Sequence, residues 1–268
     1  LAAHKTVRHV TFTGSVATGV GVMRAAAPNV SSVLLELGGK SPAIVLADAD
    51  LDLAARDVMG AIFENAGQIC SAGSRLIVER TVHEAMVDRL VAGANSLAIG
   101  HGLRRPALGP VNSKAQLDRI ASYLDGARAR RLAIVAGGGA RVDPASGRGW
   151  FFEPTVVDAV PPEDALVQEE IFGPVLSVQV ADDAGHALAL ANGTEFGLVA
   201  AVYTSNLDRA HAMARDIDAG QVFINEYFAG GIYAPFGGNR KSGFGREKGF
   251  DAMRSYCKTK AVTARIRG

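Results

Sequence analysis

The sequence predicts an α/β protein whose sheets are largely parallel and covered by helices. Three observations carry this. Strand-like and helix-like segments alternate along most of the 268 residues, helix-opening residues recur directly before amphipathic stretches, and a 48% hydrophobic content supports a sizeable core.

Residues 7–13 form the first expected strand, 16–27 the first helix, and 33–37 and 43–46 two further strands. A helix over 51–65 follows Asp50 as N-cap and carries Leu51, Ala54, Ala55, Val58, Met59 and Ile62 at helical spacing. Residues 75–79 read as a strand. Thr81-Val82-His83-Glu84 has capping-box spacing and starts a helix running to about residue 97. Ser113-Lys114-Ala115-Gln116 repeats the device before Leu117, Ile120, Ala121 and Leu124 on one apolar face. Strands are expected at 132–136, 155–158, 175–180, 199–204 and 221–225, with helices at 183–191 and 207–217 among them. Past residue 225 the chain turns glycine-rich, yet Tyr227, Phe228, Tyr233, Phe236 and Phe244 argue for a structured loop. Residues 260–266 alternate enough to form an edge strand that pairs with another chain.

Lys+Arg 28 against Asp+Glu 27 leaves no footprint for nucleic acid or an anionic membrane surface. No stretch reaches the roughly 20 apolar residues needed to span a bilayer, and no signal peptide stands at the start, so a cytoplasmic location is expected. Cys70 and Cys257 are the only cysteines, which suits a reducing compartment, and the six histidines are scattered without ligand spacing, so no metal site is expected. Several motifs fail on inspection. Gly14, Gly19 and Gly21 do not make G-x-G-x-x-G, Gly39-Lys40-Ser41 lacks the first glycine of a Walker A loop, and no G-x-S-x-G occurs.

Two residues suggest chemistry. Cys70, in Gly67-Gln68-Ile69-Cys70, follows a helix, and Glu36 opens Glu36-Leu37-Gly38-Gly39-Lys40. A thiol and a carboxylate are the minimum for covalent catalysis followed by hydrolysis. Thr11-Phe12-Thr13-Gly14-Ser15 ends a strand and enters a helix, where open α/β sheets bind phosphates, although on spacing alone it reads as an ordinary strand-to-helix turn. Glu169 and Glu170 are too close in sequence to form a glycosidase pair by themselves, although folding could bring either near Glu36.

Together, Phe12-Thr13-Gly14-Ser15, Glu36 through Pro42, Gly67 through Cys70, Glu169-Glu170-Ile171-Phe172-Gly173-Pro174 and Pro235-Phe236-Gly237-Gly238 with Ser242 through Glu247 resemble the aldehyde dehydrogenase superfamily. The resemblance implies a catalytic domain of that type with a remnant of a Rossmann-type cofactor domain. It implies that Cys70 attacks an aldehyde to form a thiohemiacetal whose hydride passes to NAD or NADP. Glu36 then activates water to release a carboxylic acid from the thioester. By the same resemblance Gly14 and Ser15 meet the pyrophosphate, the Leu37 carbonyl the nicotinamide amide, Glu170 the nicotinamide ribose and Phe172 the nicotinamide. Ile69, Ser71, Tyr227, Phe228 and Phe236 are the substrate-side candidates. The thiol is expected to be acidified by its backbone surroundings and by the positive ring.

The family is about twice this length. Residues 1–38 are expected to be a cofactor-domain remnant, 39–238 the catalytic domain, 239–260 a return to the cofactor domain and 261–268 an oligomerisation strand of a dimer or tetramer. An oxyanion donor is then missing, at a typical cost of about 10² to 10³ in rate, so the chain alone is expected to be nearly inactive and to bind NAD poorly. Two competing readings are a truncated, non-catalytic assembly or ligand-binding fragment, and another thiol enzyme such as an acyltransferase.

Overall fold

The computed structural model describes residues 1–266 and divides its main strands between two sheets. The larger holds β12 (Gln221–Ile224), β11 (Val199–Tyr203), β3 (Pro42–Val45), β4 (Arg75–Glu79), β9 (Val175–Ala181), β8 (Thr155–Asp158) and β5 (Ala133–Ala136), in that spatial order. Every neighbouring pair is parallel except β5 with β8. β3 and β11 are buried along their whole length, as central parallel strands covered on both faces must be.

On one face α2 (Leu51–Phe63) and α3 (His83–Ser96) bring Val58, Ile62, Met86 and Leu90 into one core with Leu76, Val78 and Tyr203. On the other, α6 (Ala184–Ala191) and α7 (Leu207–Asp216) enclose Ile44, Ile77 and Val202. α4 (Lys114–Ala129) and the short α5 (Ala165–Gln168) build a third cluster around Ile120, Leu124, Leu166 and Val175.

The smaller sheet pairs β1 (His9–Thr13) parallel to β2 (Ser32–Glu36), with α1 (Val16–Ala26) following β1. β14 (Gly243–Phe244) runs antiparallel to β2 and sets Gly243 opposite Glu36. Two-residue ladders join β6 (Ala140–Arg141) to β7 (Phe151–Phe152) and β10 (Phe196–Gly197) to β13 (Asn239–Arg240), and α8 (Gly249–Ser255) is the last helix among the described residues.

Local capping works as the sequence suggests at two helices. The Asp50 carboxylate accepts from the N–H groups of Asp52 and Leu53, and the Ser113 hydroxyl accepts from Gln116 N. Thr81 does not cap. The chain enters α3 through a 3₁₀ turn at Arg80–Val82, so Thr81 lies inside that turn and Val82 takes the cap position without a side-chain bond. His83 Nε2, 2.7 Å from Asp158 Oδ1, anchors the helix start instead. The helix expected over 51–65 stops at Phe63, because Asn65 and Ala66 take left-handed φ of 50° and 54°. Among the described residues, 260–266 join no ladder within the chain, and 267–268, the rest of the expected oligomerisation strand, lie outside the described residues.

Candidate active site

Cys70 stands in a turn between α2 and β4, on a segment held at several points. Gly67, at φ 70°, comes so near the Gly173 carbonyl that no Cβ would fit between them. The Gln68 side chain accepts from Asn112 N at 2.8 Å and donates to Asn65 O at 3.2 Å. Beyond the nucleophile, Ala72 N donates to Ile69 O at 3.0 Å, Gly73 N to Ala61 O at 3.1 Å, and Tyr227 OH to Ser71 O at 3.1 Å. These contacts fix the thiol at a half-buried position.

Glu36 is the last residue of β2. Its carbonyl accepts from Gly14 N at 3.0 Å, and the next N–H, of Leu37, donates to Ser242 O at 3.0 Å. The side chain is buried, neither carboxylate oxygen has a hydrogen-bond partner, and Oε1 would lie 2.7 Å from a Cβ on Gly237. An unpaired buried carboxylate is costly and uncommon in a purely structural role.

Glu170 and Phe172 come from the loop before β9. Gly39 N donates to Glu170 Oε1 at 3.1 Å, whereas Glu169 turns away and accepts from Tyr123 OH at 2.6 Å. Two residues of α4 pin this loop: Gln116 Nε2 donates to Ile171 O and Phe172 O at 2.8 and 2.9 Å, and Arg119 Nη2 donates to Glu170 O at 2.8 Å. Phe172 is held at φ 59°, a costly conformation for an aromatic residue. The elements converge on one cleft of about 490 Å³, lined by Thr13, Gly14, Ser15, Glu36, Gly38, Cys70, Gln116, Arg119, Glu170 and Phe172. Ser15 caps α1 there, its hydroxyl accepting from Thr18 N.

Residues 1–262 match the pattern of the Aldehyde dehydrogenase family. The chain belongs to that family. Over 263 residues it is 41% identical to a betaine aldehyde dehydrogenase of Rhizobium leguminosarum bv. trifolii, covering 98% of this chain and 54% of the relative. Over 266 residues it is 45% identical to an aminoacetaldehyde dehydrogenase of Pseudomonas aeruginosa, covering 98% and 52%. The crystal structure of betaine aldehyde dehydrogenase from Staphylococcus aureus in complex with NAD+ superimposes with a TM-score of 0.91 at 37% identity, covering 95% of this chain and 51% of that one. The chain thus spans about half the length of the curated relatives it matches.

In this aldehyde dehydrogenase chain the cleft is electrostatically unusual. Burial, reinforced by Glu247, pushes the Glu36 carboxyl up from 4.5 to about 8, against the opposing charges of Arg246 and Lys248. The Glu170 carboxyl also lies above its ordinary range through burial, while the Gly39 N–H, Lys40 and Arg119 pull it back. The expectation of an acidified thiol is not met in the protein alone. Burial raises the Cys70 pKa, and Glu170 and Glu36 add to the rise, outweighing the Ser71 N–H that lowers it. The positive ring invoked in that expectation is not part of this chain.

Of the expected cofactor residues, Gly14, Ser15, Glu170 and Phe172 line the cleft. Leu37 is buried between two lining residues, Glu36 and Gly38. Ile69, Ser71, Tyr227, Phe228 and Phe236 do not line it. Ser71 is buried and bound through its carbonyl to Tyr227, whose ring meets Phe228 edge-on at 4.8 Å. Ile69, Tyr227 and Phe236 pack on the same core as Cys70, and the Lys248 ammonium stands 5.0 Å from the Phe236 ring centroid. Sequence reading missed Gln116 and Arg119. Their signal is the i, i+3 polar pair at the border of the apolar face of α4, which becomes meaningful only once the 169–173 loop is seen to lie over it. Among the described residues there is no group of ligating side chains suited to a metal.

Proposed function

We propose that this chain is the catalytic portion of an NAD(P)-dependent aldehyde dehydrogenase that converts an aldehyde to a carboxylic acid. The observation that carries the proposal is the shared cleft, in which the Cys70 thiol, the unpartnered Glu36 carboxylate and Glu170 meet. The residues fit a dinucleotide: Gly14 and Ser15 at the N-terminus of α1 suit a pyrophosphate, Glu170 suits ribose hydroxyls, and Phe172 offers an aromatic edge beside them. When bound, the nicotinamide supplies the acceptor for the hydride.

Cys70, as thiolate, attacks the aldehyde carbon, and the product remains attached to its sulfur as a thioester once oxidised. Glu36, ionised, takes a proton from the water that cleaves this thioester. Its raised pKa makes it a stronger base than an ordinary carboxylate and keeps it able to give the proton up again. Support for residues 239–260 returning to the cofactor side is the pairing of β14 with β2. We assign Ile69, Ser71, Tyr227, Phe228 and Phe236 to the aldehyde side, supported by the packing of Ile69, Tyr227 and Phe236 on the core that also holds Cys70 and by the contacts of Tyr227 with Ser71 and Phe228, and aldehydes resembling those of the betaine and aminoacetaldehyde relatives are the first to try. The two free cysteines suit a cytoplasmic location. No helix among the described residues is long and apolar enough to cross a membrane.

The experiment joins this chain to the upstream half of the Pseudomonas aeruginosa relative and follows NADH formation over an aldehyde panel. Activity lost in Cys70→Ala, with Glu36→Gln releasing acid at least about 10²-fold more slowly, is expected. A folded, inactive assembly would refute the reading and favour a non-catalytic fragment, while acyl transfer without aldehyde would favour an acyltransferase.

A further inference from the structure

Behind the cleft lies a polar knot that the proposed reaction does not use. Lys40 is 1% exposed and its Nζ has no hydrogen-bond partner. Its backbone is fixed on both sides, since Gly39 N donates to Glu170 Oε1 at 3.1 Å and the Lys40 carbonyl accepts from Arg75 Nε at 2.8 Å. Arg75, also 1% exposed, is bound elsewhere to Leu190 O at 2.9 Å and Ala191 O at 2.8 Å, at the end of α6. Its remaining contact is a long one, 3.5 Å to Gln179 Oε1. All its acceptors are uncharged oxygens, so it is not neutralised locally, and it repels the neighbouring ammonium. The acids facing Lys40 are Glu170 and Glu169 from the loop before β9, and Asp164 from the start of α5. Asp164 is engaged by Arg130 at 2.7 Å and Glu169 by Tyr123 at 2.6 Å, which leaves Glu170 as the acid whose charge is not otherwise committed to a partner side chain by a direct bond.

We propose that Lys40 is a positioning residue for Glu170: its enclosed ammonium is the counter-charge that keeps this carboxylate ionised and seated on the Gly39 N–H. The peptide geometry supports this, because the residue carrying the ammonium follows directly the residue whose N–H holds the carboxylate. A cation that merely filled core volume would leave the Glu170 charge unaffected. Burial brings Lys40 down to about 7, so the hold is graded across neutral pH: firm while the ammonium keeps its proton, looser as pH rises through that value. Arg119 on α4 adds a second positive charge near Glu170. The consequence for ribose binding rests on the dehydrogenase reading; the coupling between the two side chains does not.

The test uses the 268-residue chain, labelled with ¹³C at glutamate side-chain carboxyls and at lysine Cε. Glu36→Gln is the background, so that Glu36 does not titrate in the same window, and Glu170→Gln and Lys40→Met assign the two signals. The Glu170 signal is expected to show a second inflection at the pH where Lys40 loses its proton. In Lys40→Met that inflection should vanish and the Glu170 midpoint should rise by about one pH unit or more. A Glu170 signal with no inflection at the Lys40 midpoint overturns the proposal, as does an unmoved Glu170 midpoint in a folded Lys40→Met chain. The first criterion needs only the chain with its lysine in place, so it decides the matter even if Lys40→Met does not fold. No dinucleotide or aldehyde enters the measurement, so failure of the dehydrogenase reading would leave its outcome unchanged.

Discussion

The Cβ that Gly39 lacks would stand 2.6 Å from the carbonyl oxygen of Cys70, so the chain just past the base lies directly against the turn that carries the nucleophile. Gly38 stands in the same relation to the Glu170 carboxylate, which leaves no room for a side chain. Neither glycine takes a positive φ, so space and not backbone freedom accounts for both. The run from Glu36 to Lys40 therefore joins three parts of the site: it supplies the carboxylate, receives Glu170 and abuts Cys70.

This contact makes Gly39→Ala a direct probe. The added methyl must displace the Cys70 turn or the 38–40 segment, at an expected cost of about 1–3 kcal/mol in denaturant unfolding. The alkylation rate of Cys70, read in a Cys257→Ser background, should change with it. Gly21, in α1, has nothing within 4 Å of its missing Cβ, so Gly21→Ala should leave that rate unchanged and stabilise by about 0.5–1 kcal/mol. Equal effects at the two positions would show that the Gly39 contact is unimportant.

The thiol offers a pH test. Only the thiolate alkylates at an appreciable rate, and burial with two nearby carboxylates holds the proton on Cys70 above its ordinary 9.0. The alkylation rate should therefore still be climbing past that pH. Glu170→Gln, by removing one negative neighbour, should move the midpoint downwards. A midpoint below 9.0 in the unsubstituted chain would contradict this electrostatic account.

How much of this was legible in the sequence follows from the range of the interactions. Asp50 and Ser113 were readable because an N-cap bonds to an N–H two or three residues away. Thr81 misled because capping-box spacing does not reveal that a 3₁₀ turn intervenes. Cys70, Glu36 and Glu170 could be named from the motifs carrying the resemblance, whereas local pattern alone could not choose between Glu169 and Glu170. That choice depends on Tyr123, distant in sequence, which takes Glu169. The roles of Gln116, Arg119 and Lys40 were not legible for the same reason, since each acts through a tertiary contact or through burial. The 260–266 segment looked like a strand because alternation reports a tendency to pair, and pairing requires a partner.

Glu36 should leave a signature in stability. Its pKa is 4.5 when unfolded and about 8 in the fold, so between these values the folded state binds more protons. Its contribution is neutral below the lower value, becomes unfavourable as pH rises, and is fully unfavourable above the upper one. Glu36→Gln cannot ionise, so its stability relative to the unsubstituted chain should grow from pH 4.5 to about 8 and then level off. Urea melts across this window would show it, and a constant difference would mean that Glu36 is not desolvated as its unpartnered oxygens indicate.

Gln116 holds a strained loop in place. Phe172 at φ 59° lies in a region that costs an L-residue roughly 1–2 kcal/mol, and Gln116 bonds the carbonyls of Phe172 and of Ile171 before it. Gln116→Ala should destabilise by about 1–2 kcal/mol and speed amide exchange over residues 171–174, because the loop can then relax away from the cleft. Phe172→Gly removes the steric reason to relax. If Gln116 is what holds the strain, the exchange acceleration caused by Gln116→Ala should be smaller in the Phe172→Gly background, giving a coupling of about 0.5 kcal/mol or more in a double-mutant cycle. Strict additivity would instead mean that the Arg119 bond to Glu170 O and the close approach of Gly67 to Gly173 fix the loop without Gln116.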